Sequence, residues 1–255
     1  MQYVFLSHDV DWRIQGPPTE HILQRKDRFD LKIFEKTKPE ELYRNIPEYM
    51  EIEEKYDIRS TFFFRTIYEN GSINEYEDDI KQLQRSNWEI GLHTDPSSID
   101  DLEKIQHEKE KLELITGKPI IGNRVHFLNY NSELPSKLKK LGFLYDSSLR
   151  HSKDQINEKE MGHSIIDGVF EFPVTLMDAY LFTHMKIKED GIIPEFEKTI
   201  KLSRNVSSDN VISVIWHDNV LKMKGGRMYN KILEFLTSQN DVKIVSGVEL
   251  IKILK

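Results

Sequence analysis

The chain begins with a short apolar run that leads directly into charged residues. Residues 3–6 (YVFL) are continuously apolar, as in a strand buried on both faces, and residues 7–11 (SHDVD) follow without a turn residue. Because side chains alternate along a strand, Asp9 and Asp11 are expected to share one face, while His8 and Val10 take the other. Two adjacent carboxylates repel each other, so we expect either a cation between them or solvated positions in a loop.

The rest of the chain alternates between strand-like and helix-like patterns. Helical periodicity covers 40–56, where Pro47 should kink or split the helix, 76–85, and 99–116, where Gly117 should end the helix. Further apolar runs of strand length occupy 58–65, 88–92, 120–125, 143–146, 169–174, 211–217 and 242–245. This alternation predicts an α/β fold with a parallel sheet and outer helices, either closed as a barrel or open.

One stretch breaks this alternation. Residues 13–39 are polar and highly charged, with Pro17 and Pro18 near one end and Pro39 at the other. Such a stretch is long for a simple connection, so we expect it to cover one end of the fold as a lid. The remaining pattern shows no boundary, and we expect residues 1–255 to form a single domain.

Composition narrows the function classes. Hydrophobic residues make up 38% and charged residues 31%, and no apolar run approaches the roughly 20 residues of a membrane-spanning helix. The net charge of −7, with Lys and Arg spread along the chain, argues against a nucleic-acid partner. The absence of cysteine excludes disulfides and thiolate metal sites. The first residues resemble no signal peptide, so a cytoplasmic location is expected.

Polar side chains gather where the predicted strands end. Because the carboxyl ends of parallel strands lie on one side of the sheet, these side chains should meet there. The residues in question are Asp9, Asp11, His93, Arg124, His126, Asp178 and His217. Imidazole together with carboxylate suits Zn²⁺ or a similar divalent ion, and three protein ligands with open positions are typical of a catalytic site. A second carboxylate could act as base, a histidine as acid, and an arginine could orient the base.

Five motifs in this order resemble those of the polysaccharide deacetylases, carbohydrate esterase family 4. They are SHDVD, GLHTDPS, RVHF, FEFPVTLMD and VIWHDN, and the phrase ITGKPIIGNR before the arginine also looks like the family. The resemblance spans residue 4 to about residue 218. It implies a distorted (β/α) barrel of about seven parallel strands and metal-dependent removal of an acetyl group from an N- or O-acetylated sugar.

The resemblance also implies roles for individual residues. Asp9 matches the catalytic base, Arg124 the arginine that orients it, and His217 the catalytic acid. Asp11 and His93 match metal ligands, with Zn²⁺ as the expected ion.

The second motif departs from the family pattern H-[ST]-x-x-H, because Ser97 stands where the second histidine should be. His126, two residues after Arg124, could supply the missing imidazole, and we therefore prefer Asp11, His93 and His126 as the metal ligands. The alternatives left open are Asp95, Ser97, His8 and Asp178.

The sequence therefore predicts a metal-dependent deacetylase. Its expected partner is an acetylated saccharide or sugar nucleotide, a precursor of a surface polysaccharide, with neither nucleic acid nor a membrane span. The aromatic residues that flank the motifs could form a sugar platform; they are Trp12, Phe127, Tyr130 and Trp216.

Two other functions compete with this hypothesis. One is a catalytically silent member of the same fold that binds a saccharide, which the loss of the second histidine makes reasonable. The other is a metal-free glycoside hydrolase that uses Asp9 and Asp11. The latter is disfavoured because paired carboxylates of glycosidases normally face each other across the sugar.

Overall fold

The computed structural model describes residues 1–206 and 209–255, which alternate between strands and helices. The strands are β1 (Gln2–Val10), β2 (Thr61–Phe64), β3 (Ile67–Tyr68), β4 (Gly71–Ser72), β5 (Glu89–Thr94), β6 (Gly122–Val125), β7 (Tyr145–Asp146), β8 (Ser164–Ile166), β9 (Val169–Glu171), β10 (Val174–Met177), β11 (Val211–Ile215) and β12 (Val242–Val245). The α-helices are α1 (Thr19–Leu23), α2 (Leu31–Lys36), α3 (Pro39–Leu42), α4 (Ile46–Glu54), α5 (Glu77–Arg85), α6 (Leu102–Thr116), α7 (Leu134–Lys140), α8 (Glu189–Val206), α9 (Tyr229–Thr237) and α10 (Gly247–Leu254). Among the described residues, no helix combines the length and apolar character needed to cross a membrane.

The main sheet is largely parallel and curls into a barrel. Its strands follow the order β10-β11-β1-β2-β5-β6-β7-β9-β8, and β12 pairs with β1 beside this path. The pairing of β8 with β9 is antiparallel, and the other pairings of this sheet are parallel. β9 pairs with β7 and β10 pairs with β11, yet only two residues, Phe172 and Pro173, separate β9 from β10 in the chain. The segment 169–177 therefore joins the two sides of the sheet and acts as one strand position. The predicted distorted barrel of about seven parallel strands is confirmed.

The first strand shows how alternation builds this barrel. Phe5 lies in an inner cluster with Phe63 and Tyr145, while Leu6 and Val10 pack in the larger core beneath the helices. Gly91 and Gly122 face the inner cluster, where a Cβ atom would lie 2.5 Å from the Phe63 ring and 2.2 Å from Tyr145. The inner cluster therefore fills the barrel below the level of Asp9, which is 2% exposed.

Proline explains two differences between the predicted and observed elements. The helix predicted over 40–56 is split into α3 and α4, with Pro47 in the first turn of α4, where the missing N–H needs no partner. The strand predicted over 169–174 is interrupted at Pro173 and resumes as β10. Several other predicted strands are shorter at their ends than the apolar runs; β2 keeps four residues of 58–65, and β7 keeps two residues of 143–146.

Segment 13–39 is more structured than its charge indicates. It contains α1, a 3-10 turn at Lys26–Arg28 and α2, and it buries Ile22 and Phe29 against Tyr43 and Met223. The backbone of Phe29 forms an isolated antiparallel bridge with Met223. The segment therefore packs against the loop that follows β11 and forms one wall of a cavity beside the strand ends.

Candidate active site

The structure brings the six residues assigned from the sequence to one end of the barrel. They come from the ends of four parallel strands, or from the residues directly after them, because parallel strands present their carboxyl ends on the same side. They are Asp9, Asp11, His93, Arg124, His126 and His217. His93 and Arg124 are direct neighbours in the register of β5 and β6.

Three ligand atoms form a nearly equilateral triangle. Asp11 Oδ1 lies 3.2 Å from His93 Nε2 and 3.2 Å from His126 Nδ1. The two imidazole nitrogens are also 3.2 Å apart. Ligand atoms with this spacing can all reach one ion at the bond lengths of about 2.0–2.2 Å that Zn²⁺ makes to nitrogen and oxygen. Within the described part of the chain, Asp11, His93 and His126 form the cluster of histidine and acidic side chains whose ligand atoms lie close enough together to hold a metal ion.

The protonation pattern of the triangle suits a cation. His93 Nδ1 lies 3.0 Å from the carbonyl oxygen of Arg124, which can only accept, so Nδ1 carries the proton and Nε2 presents a lone pair. Asp11 Oδ1 is buried and has no hydrogen-bond partner among the described residues. Burial alone would raise the pKa of Asp11, but His126, His217 and His93 outweigh it and hold that pKa well below its ordinary value. The carboxylate is therefore ionised, and these donors fit a divalent cation.

Arg124 fixes the second carboxylate, that of Asp9. Its Nη1 donates to Asp9 Oδ1 at 2.7 Å and to the Ser7 hydroxyl at 2.8 Å, while Nε and Nη2 donate to the carbonyl and hydroxyl oxygens of Ser147, both at 2.9 Å. The guanidinium carbon also lies 4.4 Å from the centre of the Phe63 ring. Burial would raise the pKa of Asp9, but the positive charge of Arg124 and the nearby histidines lower it overall. Asp9 is therefore an ionised carboxylate held in one orientation.

Asp178 fixes the third histidine, His217. Asp178 Oδ1 lies 2.6 Å from His217 Nδ1, and Oδ2 accepts from the His217 backbone N–H at 2.6 Å. His217 Nε2 points the other way and lies 3.7 Å from Asp11 Oδ2. Burial would lower the pKa of His217, but the carboxylates of Asp178, Asp11 and Asp9 outweigh it and raise the pKa to about 10. The imidazole is therefore protonated at neutral pH in this arrangement.

Residues 34–145 match a family model described as polysaccharide deacetylase. Over this stretch, which is less than half of the chain, the sequence is similar to the polysaccharide deacetylases. No curated protein sequence matches the chain.

Solved structures support the same fold. A protein from Mycobacterium smegmatis described as a polysaccharide deacetylase is 20% identical, with a TM-score of 0.66 over 98% of this chain and 89% of that one. A polysaccharide deacetylase from Bacillus cereus is 12% identical, with a TM-score of 0.54 over 96% and 92%. A carbohydrate esterase family 4 pseudoenzyme from Bacillus anthracis is also 12% identical, with a TM-score of 0.57 over 98% and 65%. At these identities the likeness shows the fold alone, and the neighbours include a protein described as a pseudoenzyme.

The alternative metal ligands left open by the sequence lie outside the triangle. Ser97 is exposed, and its hydroxyl donates to Asp95 Oδ1 at 2.7 Å, while Asp95 also pairs with Arg65 at 3.1 Å. His8 points to the opposite face of β1 and contacts Glu53 Oε1 at 2.7 Å. Asp178 is engaged by His217. None of the four alternatives is part of the three-atom group.

Some residues that shape this site were not assigned from the sequence. These are Ser7 and Ser147, which hold Arg124. Asp178, which the sequence left open as a metal ligand, contacts His217 Nδ1 instead. Ser7 could have been found, because it lies two residues before Asp9 and therefore on the same face of β1. Ser147 gave a weaker signal, as a polar residue directly after β7.

The aromatic residues proposed as a sugar platform separate into two groups. Trp216 is fully buried, and its indole N–H donates to the Gly226 carbonyl, so it belongs to the core. Tyr130 is partly buried and packs against the same core. Trp12 lines the cavity next to Asp11, and Phe127, directly after His126, is 79% exposed with φ at 61°. A non-glycine residue in the left-handed region is uncommon, and Leu128 shares it at φ 53°. This backbone presents the Phe127 ring to solvent at the rim of the site.

Proposed function

We propose that the protein is a metal-dependent hydrolase that removes an acetyl group from an acetylated sugar. The observation that carries this proposal is the triangle of Asp11, His93 and His126, flanked by an ionised Asp9 and a protonated His217. One carboxylate is free to accept a proton, and one imidazolium is free to donate one. A hydrolysis by attack of water needs both of these groups.

Asp11, His93 and His126 would hold the cation, and Zn²⁺ is the ion we propose. Such an ion supplies Lewis-acid polarisation of the acetyl carbonyl and lowers the pKa of a coordinated water. Asp9 would accept the proton of the attacking water. Its Oδ1 is occupied by Arg124, and its Oδ2 lies 3.7 Å from His93 Nε2, on the side of the triangle.

His217 would donate its Nε2 proton to the leaving nitrogen or oxygen of the sugar. The C–N or C–O bond of the acetyl group breaks, water supplies the new C–O bond, and the products are acetate and a free amine or hydroxyl. Asp178 would keep Nδ1 of His217 protonated and the ring oriented, so that Nε2 faces the reacting group. A sugar-nucleotide or other precursor of a surface polysaccharide is the substrate class that we propose.

A catalytically silent, saccharide-binding protein is the second candidate. Ser97 in place of the second motif histidine favours it, and one structural neighbour is described as a pseudoenzyme. A glycoside hydrolase that uses Asp9 and Asp11 receives no support, because one of its two carboxyls must be protonated and the pKa values of both are lowered here.

The decisive experiment combines elemental analysis with acetate release. Protein purified without added metal should contain about one divalent ion per chain, and it should release acetate from at least one member of a panel of acetylated sugars and sugar nucleotides. Metal-free protein that binds a saccharide but releases no acetate after metal addition would establish the silent alternative.

A further inference from the structure

A cavity of about 480 Å³ connects the candidate active site with segment 13–39. Its lining includes Asp11 and His217 and also Arg25, Arg28 and Lys224. Cavities of 300–1,000 Å³ commonly hold small ligands. A substrate that reaches Asp11 and His217 through this cavity would therefore lie beside three cationic side chains.

These three cations make no ion pair within the described residues. Arg25 Nη1 and Lys224 Nζ donate to backbone carbonyl oxygens, those of His21 at 3.3 Å and Asp27 at 2.9 Å. The neighbouring Arg227, by contrast, pairs with both Asp30 and Glu189. The cavity therefore gathers three cationic side chains that have no carboxylate partner among the described residues.

The acidic residues of the lining do not balance these charges. Asp11 lies against His93 and His126, and Asp178 is engaged by His217. Asp27 is the remaining acidic residue, which leaves a surplus of two positive charges on this side of the cavity.

The two arginines lie close to the aromatic wall of the cavity. His21 packs against Trp12 with ring centres 4.8 Å apart, and Tyr43 lies 6.1 Å from His21. Burial lowers the pKa of His21, and the charges of Arg25 and Arg28 lower it further, so the ring adds no charge at neutral pH. A planar group could lie along these rings while an attached anion contacts the arginines.

We propose that Arg25, Arg28 and Lys224 bind a phosphoryl group of the substrate, so that the acetylated sugar carries a phosphate or diphosphate. This inference rests on the proposed function, because it takes Asp11 and His217 as the reacting end of the same cavity. A phosphoryl group matches the surplus of two charges, and its several oxygens can accept from both guanidinium forks at once. A single sugar carboxylate offers one charge and two oxygens.

The test measures binding of pyrophosphate by calorimetry at constant ionic strength. The double variant Arg25→Gln/Arg28→Gln should weaken binding by about tenfold or more, because it removes two guanidinium charges and their hydrogen bonds to the anion. The matched control is Lys26→Gln/Lys32→Gln, which removes two exposed charges of the same segment outside this cavity and should bind as the unmodified protein does. Unchanged melting curves would show that both double variants fold.

Two further arms locate the anion and identify its chemistry. Asp11→Asn, which removes a proposed metal ligand, should still bind pyrophosphate, and glucuronate should bind the unmodified protein more weakly than pyrophosphate does. The proposal is overturned if the unmodified protein does not bind pyrophosphate, if both double variants bind it alike, if Asp11→Asn abolishes binding, or if glucuronate binds equally well. None of these binding measurements depends on acetate release. A failure of the deacetylase proposal, which the acetate assay detects, can therefore be distinguished from a failure of the phosphoryl-binding proposal.

Discussion

The Nδ1 atom of His126 lies 3.2 Å from the Nε2 atom of His93, although the two residues come from neighbouring strands rather than from one motif. A second imidazole therefore lies beside His93, even though Ser97 replaces the second histidine of the H-[ST]-x-x-H pattern. We therefore expect binding of a divalent ion to require both His93 and His126.

We predict that His93→Ala and His126→Ala each weaken metal binding by about 100-fold or more, because even indirect partners of a ligand commonly contribute 10- to 100-fold. Metal content after dialysis would be measured by elemental analysis. His107→Ala is the control, since His107 is exposed on α6. Full metal content in His126→Ala would remove His126 from the site.

Replacing Asp9 and replacing Asp11 should have different effects on metal binding and turnover. Asp11→Asn should lose metal and activity together, whereas Asp9→Asn should keep the metal and lose turnover by roughly 10²- to 10⁴-fold, as expected for a general base. Metal content and the rate of acetate release would be measured on the same preparations. Near-full activity of metal-loaded Asp9→Asn would exclude Asp9 as the base.

Asp178 should set the alkaline limit of activity through His217. Its carboxylate raises the pKa of His217, so Asp178→Asn should lower that pKa, and the protonated acid should be lost at lower pH. The alkaline limb of the profile of kcat against pH should therefore move down by about 1–3 pH units, the usual effect of a neighbouring charge. Asp190→Asn, an exposed position on α8, is the control and should leave the profile unchanged. An unshifted alkaline limb in Asp178→Asn would mean that His217 does not act as the acid.

The strand ends were the part of the site that the sequence could predict. Alternation along β1 places Asp9 and Asp11 on one side, and parallel pairing places His93 beside Arg124, so short-range rules suffice for these residues. The barrel follows from the repeated alternation of strands and helices.

The remaining features depend on contacts between residues far apart in the chain. Phe29 is buried because it meets Met223, and Arg124 is rigid because Ser7 and Ser147 surround its guanidinium group. No local pattern signals such pairs. The burial of Ile22 and Phe29 within a highly charged segment could therefore not be read from periodicity.

Phe127 is predicted to contribute to saccharide binding. Its ring is 79% exposed beside His126 and lines a second cavity, of about 360 Å³, with Arg150 and Tyr180. Phe127→Ala should raise KM roughly fivefold with little change in kcat, which corresponds to about 1 kcal/mol of lost aromatic contact. Leu114→Ala, at an exposed position on α6, is the matched control. Unchanged KM in Phe127→Ala would assign the exposed ring no part in binding.

Glu53 anchors the outer face of β1 and should control stability rather than chemistry. Its buried carboxylate lies 2.7 Å from His8 Nε2, and it accepts from Trp88 Nε1 and the Tyr229 hydroxyl, both at 2.7 Å, and from the N–H and hydroxyl of Ser60. Burial would raise the pKa of Glu53, but His8, Tyr229 and Trp88 outweigh it and lower that pKa below its ordinary value. A carboxylate with a lowered folded pKa stabilises the fold above its ordinary pKa of about 4.3, and this stability is lost as the pH falls through the folded value.

Glu53→Gln should therefore reduce the free energy of unfolding by about 3–5 kcal/mol at pH 7, because a neutral amide places its own donors against the N–H groups that the carboxylate accepts from. Urea unfolding at pH 7 and under acidic conditions would measure this, and the difference from the unmodified protein should shrink as Glu53 becomes protonated. Glu51→Gln on the same helix removes an exposed carboxylate and should change the free energy by less than about 0.5 kcal/mol. Equal stability of the two variants at pH 7 would show that the Glu53 network is not what holds α4 against β1.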